Sequence, residues 1–280
     1  MIVFRSIGKT RDYLEEARRK RRSVGFVPTM GYLHEGHLSL IRKARRDNDV
    51  VVVSIFVNPT QFGPNEDLSR YPRDLKRDKR LLRAEGVDLL FYPSVRSLYP
   101  DGFKAYIEVK GLSGVMCGSS RPAHFRGVCT VVAKLFNIIM PDIAYFGRKD
   151  AQQAVIVKKM ASDLNMNVSI EALPIVREKD GLAMSSRNSY LSKTERRDAP
   201  IIFRSLREAE RAVKAGVRDA GKIKSLVKSF LRASKSMKID YVNVVDEVTL
   251  EEVKRVTKPA LLAVAVRMGR TRLIDNIVLK

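Results

Sequence analysis

Tryptophan is absent from the 280-residue chain, aromatic residues make up 7% of it, and histidine occurs only three times. So few aromatics leave little on which to stack bases. The basic residues are spread along the whole chain, and no nucleic-acid motif accompanies them. Despite a formal net charge of +22, nucleic acid is therefore not the expected partner, and the charge suits anionic small substrates instead. Only two cysteines occur, Cys117 and Cys129. They have no metal-ligand spacing and are expected to be reduced thiols. No apolar run exceeds about eight residues, far short of the roughly 20 that span a membrane. The first residues also lack the apolar core of a signal peptide. A cytoplasmic protein with no membrane partner is expected. Catalytic triads and close carboxylate pairs are missing as well, which turns attention from hydrolysis to chemistry that needs positive charge and positioning.

What is present alternates between strand and helix. Residues 24–27 predict a short strand, 37–46 a helix and 50–57 a β-branched strand buried on both faces. A charged helix over 74–85 and a strand over 87–92 follow. Residues 104–109 predict an edge strand, 128–140 a buried helix and 143–146 a strand. A helix from Asp150 to about residue 165 and a strand over 168–173 complete this part. The basic run at residues 18–22 reads as the solvated face of a helix. Strands separated by helices imply an α/β fold with a doubly wound, mostly parallel sheet. After Pro174 the pattern changes. A capping box, Ser192-Lys193-Thr194-Glu195, opens a long helix. A second helix spans 219–234, and strands follow near 239–245, 260–266 and 273–279. Two domains are expected, residues 1–175 and a smaller α+β domain over 176–280.

The informative residues fall just after the expected strands, where doubly wound sheets bind ligands. The first turn is Pro28-Thr29-Met30-Gly31-Tyr32-Leu33-His34-Glu35-Gly36-His37 and holds two of the three histidines. His34 and His37 stand three apart at a helix start, so they share a face. Gly36 lets a backbone approach a ligand, and a helix N-terminus attracts phosphate. A capping pair or half of a metal site are the alternative readings, but no third ligand is evident. The second turn is Asn58-Pro59-Thr60-Gln61-Phe62-Gly63. The third is Gly147-Arg148-Lys149-Asp150-Ala151-Gln152-Gln153, where Lys149 sits at a helix start. The fourth runs from Val176 to Met184-Ser185-Ser186-Arg187, a loop able to close over a triphosphate. Gln61 and Gln153, two of only three glutamines, offer amides for a hydroxy acid. His124 is open between a site role and a structural one.

At these residues the chain resembles the pantoate–β-alanine ligases (pantothenate synthetases) of the HIGH-motif nucleotidyltransferase superfamily. The matching segments are 27–37, 56–62, 71–73, 121–128, 146–153 and 181–188, in the family's order. The resemblance implies a Rossmann-like first domain, a C-terminal lid domain and a homodimer. It implies condensation of ATP and (R)-pantoate to pantoyl adenylate, then attack by β-alanine, with Mg2+ accompanying ATP. Carried onto this chain, ATP would meet Met30, Gly31, Tyr32, Leu33, His34, Glu35, Gly36 and His37. It would also meet Gly147, Arg148, Lys149, Asp150, Val176, Met184, Ser185, Ser186 and Arg187. His37 would be the proton donor or phosphate stabiliser, aided by His34, Lys149 and Arg187. Gln61 and Gln153 would bind pantoate, and Gln61 also β-alanine. The metal ligands are not indicated.

Two departures stand out. Arg148 replaces the family's usual Glu and adds positive charge beside the nucleotide. Ala123 replaces the usual Gly before His124. A different HIGH-type nucleotidyltransferase is the alternative function. It would keep His34, Gly36 and His37 but need not keep Gln61 with Gln153.

Overall fold

The computed structural model describes residues 1–64 and 66–280. Its first part is a six-stranded sheet made of β1 (Ile2–Phe4), β2 (Val24–Thr29), β3 (Val50–Ile55), β4 (Leu89–Phe91), β5 (Ile143–Gly147) and β6 (Ser169–Leu173). The spatial order is β1-β4-β3-β2-β5-β6, and every pairing is parallel. The intervening helices are α1 (Ile7–Arg19), α2 (Glu35–Asp47), α3 (Leu75–Ala84), the short α4 (Val95–Leu98) and α5 (Cys117–Ser120), α6 (His124–Ile139) and α7 (Ala151–Asp163).

Strand periodicity explains why both faces are covered. In β3, Val50 and Val52 pack into one apolar cluster with α1 and α6, while Val51 and Val53 pack into another with α2 and α3. All six residues of β3 are buried. This is the α/β, Rossmann-like arrangement, and its switch point lies between β2 and β5. From there the chain winds outward to β3 and β4 on one side and to β6 on the other. Loops leaving β2 and β5 therefore diverge and leave a crevice at their carboxyl ends.

The C-terminal region is α+β. Helices α9 (Ile201–Lys214) and α10 (Ala220–Arg232), preceded by the short α8 (Lys193–Asp198), pack with an antiparallel sheet of β7 (Met237–Asp246), β8 (Ala260–Met268) and β9 (Thr271–Leu279).

Local chemistry accounts for the differences from expectation. The helix expected after the Ser192 cap is split into α8 and α9 at Pro200, which has no N–H to bond the preceding turn. Residues 104–109 form no strand; the Ile107 N–H bonds instead to the Thr130 hydroxyl of α6 at 3.0 Å. The basic run at 18–22 leaves its helix early, because α1 ends at Arg19 and Arg21 takes a positive φ of 56°. Strand β1 carried no expectation. It pairs with β4 by only three residues, too few to show alternation.

Candidate functional site

Four strand-end turns meet at the crevice. An inner cavity of about 230 Å³ is lined by Met30, His34, Gly36, His37, Gln61, Gly147, Lys149, Asp150, Gln153, Val176, Met184, Ser185, Ser186 and Arg187. It opens into an outer cavity of about 840 Å³ between the parallel sheet and the C-terminal region. Arg121, His124, Lys149, Asp150, Gln153, Ser185 and Arg187 line both, so the two are continuous.

The histidines cap their own helix. The Gly36 N–H donates to His34 Nδ1 at 3.2 Å, and the His34 N–H donates to His37 Nδ1 at 3.3 Å. A ring nitrogen that accepts an N–H carries no proton, so each ring holds its hydrogen on Nε2. The rings stack with centroids 4.1 Å apart. Burial, with Lys149 nearby, lowers His34 to about 4. Burial, with His34 and Lys149, pushes His37 well below its usual value. Both are neutral donors at pH 7, and the positive charge must come from elsewhere. Gly36 serves this pair directly. A Cβ there would lie 2.9 Å from the His34 ring, so the glycine makes room for the imidazole rather than for a ligand.

Other residues of that turn are engaged with the fold. Asp78 of α3, 1% exposed, accepts the N–H groups of Tyr32 and Leu33, each at 2.8 Å. The Gly31 N–H bonds Thr29 Oγ1. Leu33 lies in the core, and Glu35 pairs with Arg42 on the surface. Gly31, Tyr32, Leu33 and Glu35 are not on the cavity wall. They shape the turn that presents His34 and His37.

The positive charge comes from Lys149 and two arginines. The turn Arg148–Asp150 leads into α7, and Asn276 of β9 donates to the carbonyls of Arg148 and Lys149 at 2.9 and 3.0 Å. Arg148 itself turns away, its Nε on the Ala172 carbonyl at 3.1 Å. The charge it adds therefore does not line the inner cavity. Arg187 forms a two-point ion pair with Asp67, both contacts at 2.9 Å. Its loop is further tied by Ser186 Oγ to the Tyr32 carbonyl and by Asn188 to Glu178. Arg121 pairs with Glu66 and meets His124 Nε2 at 2.9 Å.

His124 lines both cavities and also makes contacts that hold the fold. Its Nδ1 donates to the Gln61 carbonyl at 2.8 Å, and its Nε2 accepts from Arg121. Burial, then Arg121, lowers it to about 4. Asn58, 1% exposed, was not among the expected site residues. Its Nδ2 donates to Gln61 Oε1 and to the Gly127 carbonyl, while Tyr99 and Thr60 donate to its Oδ1. Asn58 thus fixes the orientation of the Gln61 amide. Gln152 is structural, its amide spent on Cys117, Leu112 and Val115, whereas Gln153 faces both cavities. Cys117 and Cys129 are buried and free.

A parallel doubly wound sheet with neutral donors and cations gathered at its switch point defines a Rossmann-like protein with an anion-binding cleft. A model of the pantoate-beta-alanine ligase family matches residues 2–278, and the chain belongs to that family. It is 56% identical over 279 residues to a pantothenate synthetase of Pelotomaculum thermopropionicum, covering 100% of this chain and 99% of the relative. The same identity holds with that of Thermotoga petrophila, with full coverage of both. The crystal structure of pantothenate synthetase from Thermus thermophilus superposes with a TM-score of 0.94 at 45% identity, covering 99% of each chain. The pantoate-beta-alanine ligase of Francisella tularensis, complexed with beta-gamma ATP and beta-alanine, superposes with a TM-score of 0.83 at 37% identity, covering 99% and 97%.

Proposed function

We propose that this cleft condenses (R)-pantoate with β-alanine to pantothenate at the expense of ATP, through a pantoyl-adenylate intermediate. The observation that carries the reading is the pairing of two chemistries in one crevice. The neutral Nε2–H donors of His34 and His37 stand with Lys149 and Arg187, and the Gln61 and Gln153 amides line the same wall. The first set suits a triphosphate and the second a small hydroxy acid.

In the first step a pantoate carboxylate oxygen attacks the α-phosphorus. The bond to the bridging oxygen breaks and pyrophosphate leaves. A carboxylate is already ionised at pH 7, so no general base is needed. What is needed is in-line placement and stabilisation of the growing phosphoryl charge. His37 and His34 donate hydrogen bonds there, and Lys149 and Arg187 supply charge. In the second step the amine of β-alanine attacks the acyl carbon and loses a proton, the acyl C–O bond breaks, and AMP leaves. Met30, Gly36, Gly147, Asp150, Val176, Met184, Ser185 and Ser186 complete the nucleotide wall. A Cβ on Gly147 would meet nothing within 4 Å, which leaves room for a phosphate to approach its backbone.

Magnesium accompanies ATP in this reading. Among the described residues no three His, Cys, Asp or Glu side chains group to hold a metal, which fits an ion carried on phosphates and water. The division into residues 1–175 and a lid over 176–280, a homodimeric assembly and a cytoplasmic location belong to the same proposal. Among the described residues no helix is long and apolar enough to cross a membrane.

The test is isotope exchange. Labelled pyrophosphate should enter ATP only with pantoate present, and AMP should appear only when β-alanine is added. Exchange without pantoate would sink the reading, and so would a complete absence of exchange. Exchange supported by a different carboxylic acid would favour another HIGH-type nucleotidyltransferase.

A further inference from the structure

The C-terminal wall of the outer cavity carries arginines that the proposed chemistry has not used. Arg267 is the last residue but one of β8, Arg270 lies in the tight turn, and Arg272 is the second residue of β9. All three line the outer cavity. Arg272 is partnered by Asp240 at 2.9 Å. Across the same space, Arg121 has Glu66 and Arg187 has Asp67. Among the described residues no carboxylate lies within 4.0 Å of Arg267 or Arg270, although Glu195 sits beside Gly269 at the turn.

The register adds an independent observation. Arg267 and Arg272 are direct cross-strand partners, and like charges directly opposite each other destabilise a sheet. Arg272 serves the fold through Asp240, the Cys117 sulfur and the Tyr241 ring, whereas Arg267 opposite it and Arg270 in the turn are exposed and carry no such partner among the described residues. The arrangement suits an anion held between the guanidinium groups.

Position defines which anion. Asn276 pins β9 to the carbonyls of Arg148 and Lys149. From Asn276 to the turn at Thr271 the strand runs roughly 17 Å, at about 3.4 Å per residue. Arg267 and Arg270 are therefore at the outer end of the cleft, on the wall of the outer cavity and not of the inner one. In the reaction proposed above, a polyphosphate product released at the inner cradle would pass through this outer cavity to solvent.

We propose that Arg267 and Arg270 form an outer anion site that receives inorganic pyrophosphate between the inner cradle and solvent. This rests on the adenylating function proposed above and extends it to a second station for the leaving group. Guanidinium groups suit the task because each can engage a phosphate through two parallel N–H contacts.

The experiment uses the full chain with Arg267→Gln, Arg270→Gln and both together. Calorimetric titration with inorganic pyrophosphate should show affinity about tenfold weaker in the double variant, as expected for losing two partly screened charge-assisted contacts. AMP affinity and the KM for pantoate should stay within twofold. The melting temperature of Arg267→Gln should be unchanged or higher, since a like-charged pair is relieved; a structural role would lower it. Unchanged pyrophosphate affinity overturns the proposal, as does equal weakening of pyrophosphate, AMP and pantoate. If the wild-type chain shows no pantoate-dependent exchange, the adenylating function falls, while the titration still decides whether this pair of arginines binds pyrophosphate.

Discussion

Replacing Gly127 with alanine puts a single methyl group against the turn that orients Gln61. Gly127 lies in α6, and a Cβ there would stand 2.3 Å from the Thr60 carbonyl oxygen, 2.5 Å from its carbon and 2.7 Å from the Gln61 nitrogen. Every one of these is backbone, so no side chain can rotate aside. Relief to ordinary contact, about 3.5 Å, requires α6 and the turn Pro59–Gln61 to part by about 1 Å. That movement stretches the Asn58 Nδ2 bond to the Gly127 carbonyl, now 3.1 Å, and the His124 Nδ1 bond to the Gln61 carbonyl, now 2.8 Å.

Stability and activity should respond unequally. Overpacking costs roughly 1–3 kcal/mol, but alanine in a helix regains about 1 kcal/mol over glycine, leaving a modest net loss. A displacement of about 1 Å in a positioning group can cost on the order of 100-fold in rate, about 2.7 kcal/mol of transition-state stabilisation. Pantoate-dependent pyrophosphate exchange should therefore fall about 100-fold in kcat/KM for pantoate, while the melting temperature drops by only about 2–6 °C. Gly114→Ala, where a Cβ meets nothing within 4 Å, is the control and should leave both readouts unchanged. A Gly127→Ala enzyme with kcat/KM within about threefold of wild type would refute the claim that this close approach sets the Gln61 position.

Ala123→Gly should stabilise the fold by about 0.5–1 kcal/mol, since Ala123 holds φ 67° and a left-handed alanine costs more than the extra unfolded-state freedom of glycine. An unchanged or lower urea midpoint would contradict it. Acid should weaken the fold through the buried histidines. His34 and His124 titrate at about 4 when folded, whereas an exposed imidazole takes its proton near 6.5. Their contribution is complete above the unfolded value and is lost as pH falls from 6.5 toward 4. The urea midpoint of His34→Gln should consequently fall less between pH 7 and 5 than that of the wild type, and equal falls would reject the assignment.

The chain announces its sheet and the location of its cleft more clearly than it announces individual contacts. The run at 50–55 reads as a doubly buried strand because both of its faces are apolar. The turns after β2, β3 and β5 stand out because Gly, His, Lys and Gln are concentrated there. Asp78 escaped notice, yet a signal existed. It occupies the buried stripe of α3 with Leu75 and Leu82, where an acid must have a buried partner. That partner is a pair of N–H groups more than forty residues earlier in the chain, a pairing no local pattern encodes. The same holds for Leu33 and Glu35. They belong to the histidine turn in sequence, but the fold sends one into the core and the other to Arg42. Asn58 sat in a quoted motif, but its four-way bonding appears only when α6 and Tyr99 arrive.

The resting partners of the cleft arginines bear on how it takes up an anion. Arg187 and Arg121 are half-buried or deeper and are already compensated by Asp67 and Glu66. A buried cation without a partner is costly, so these carboxylates stabilise the cleft before any anion enters. A phosphate that reaches either guanidinium meets a charge already partly offset by its carboxylate, and the net gain is smaller than the contact itself. Lys149 differs. Its nearest carboxylate oxygen, on Asp150, is 4.0 Å away, and the adjacent imidazoles are neutral. In the proposed reaction an entering phosphate would meet Lys149 and the two Nε2–H groups without breaking a close ion pair. Arg187 spends its Nε and one Nη on Asp67, which leaves its other Nη to meet a phosphate while the ion pair holds. The loop that carries Arg187 is also held by Ser186 on the Tyr32 carbonyl and by Asn188 on Glu178, so the Asp67 ion pair is one of several contacts that fix it.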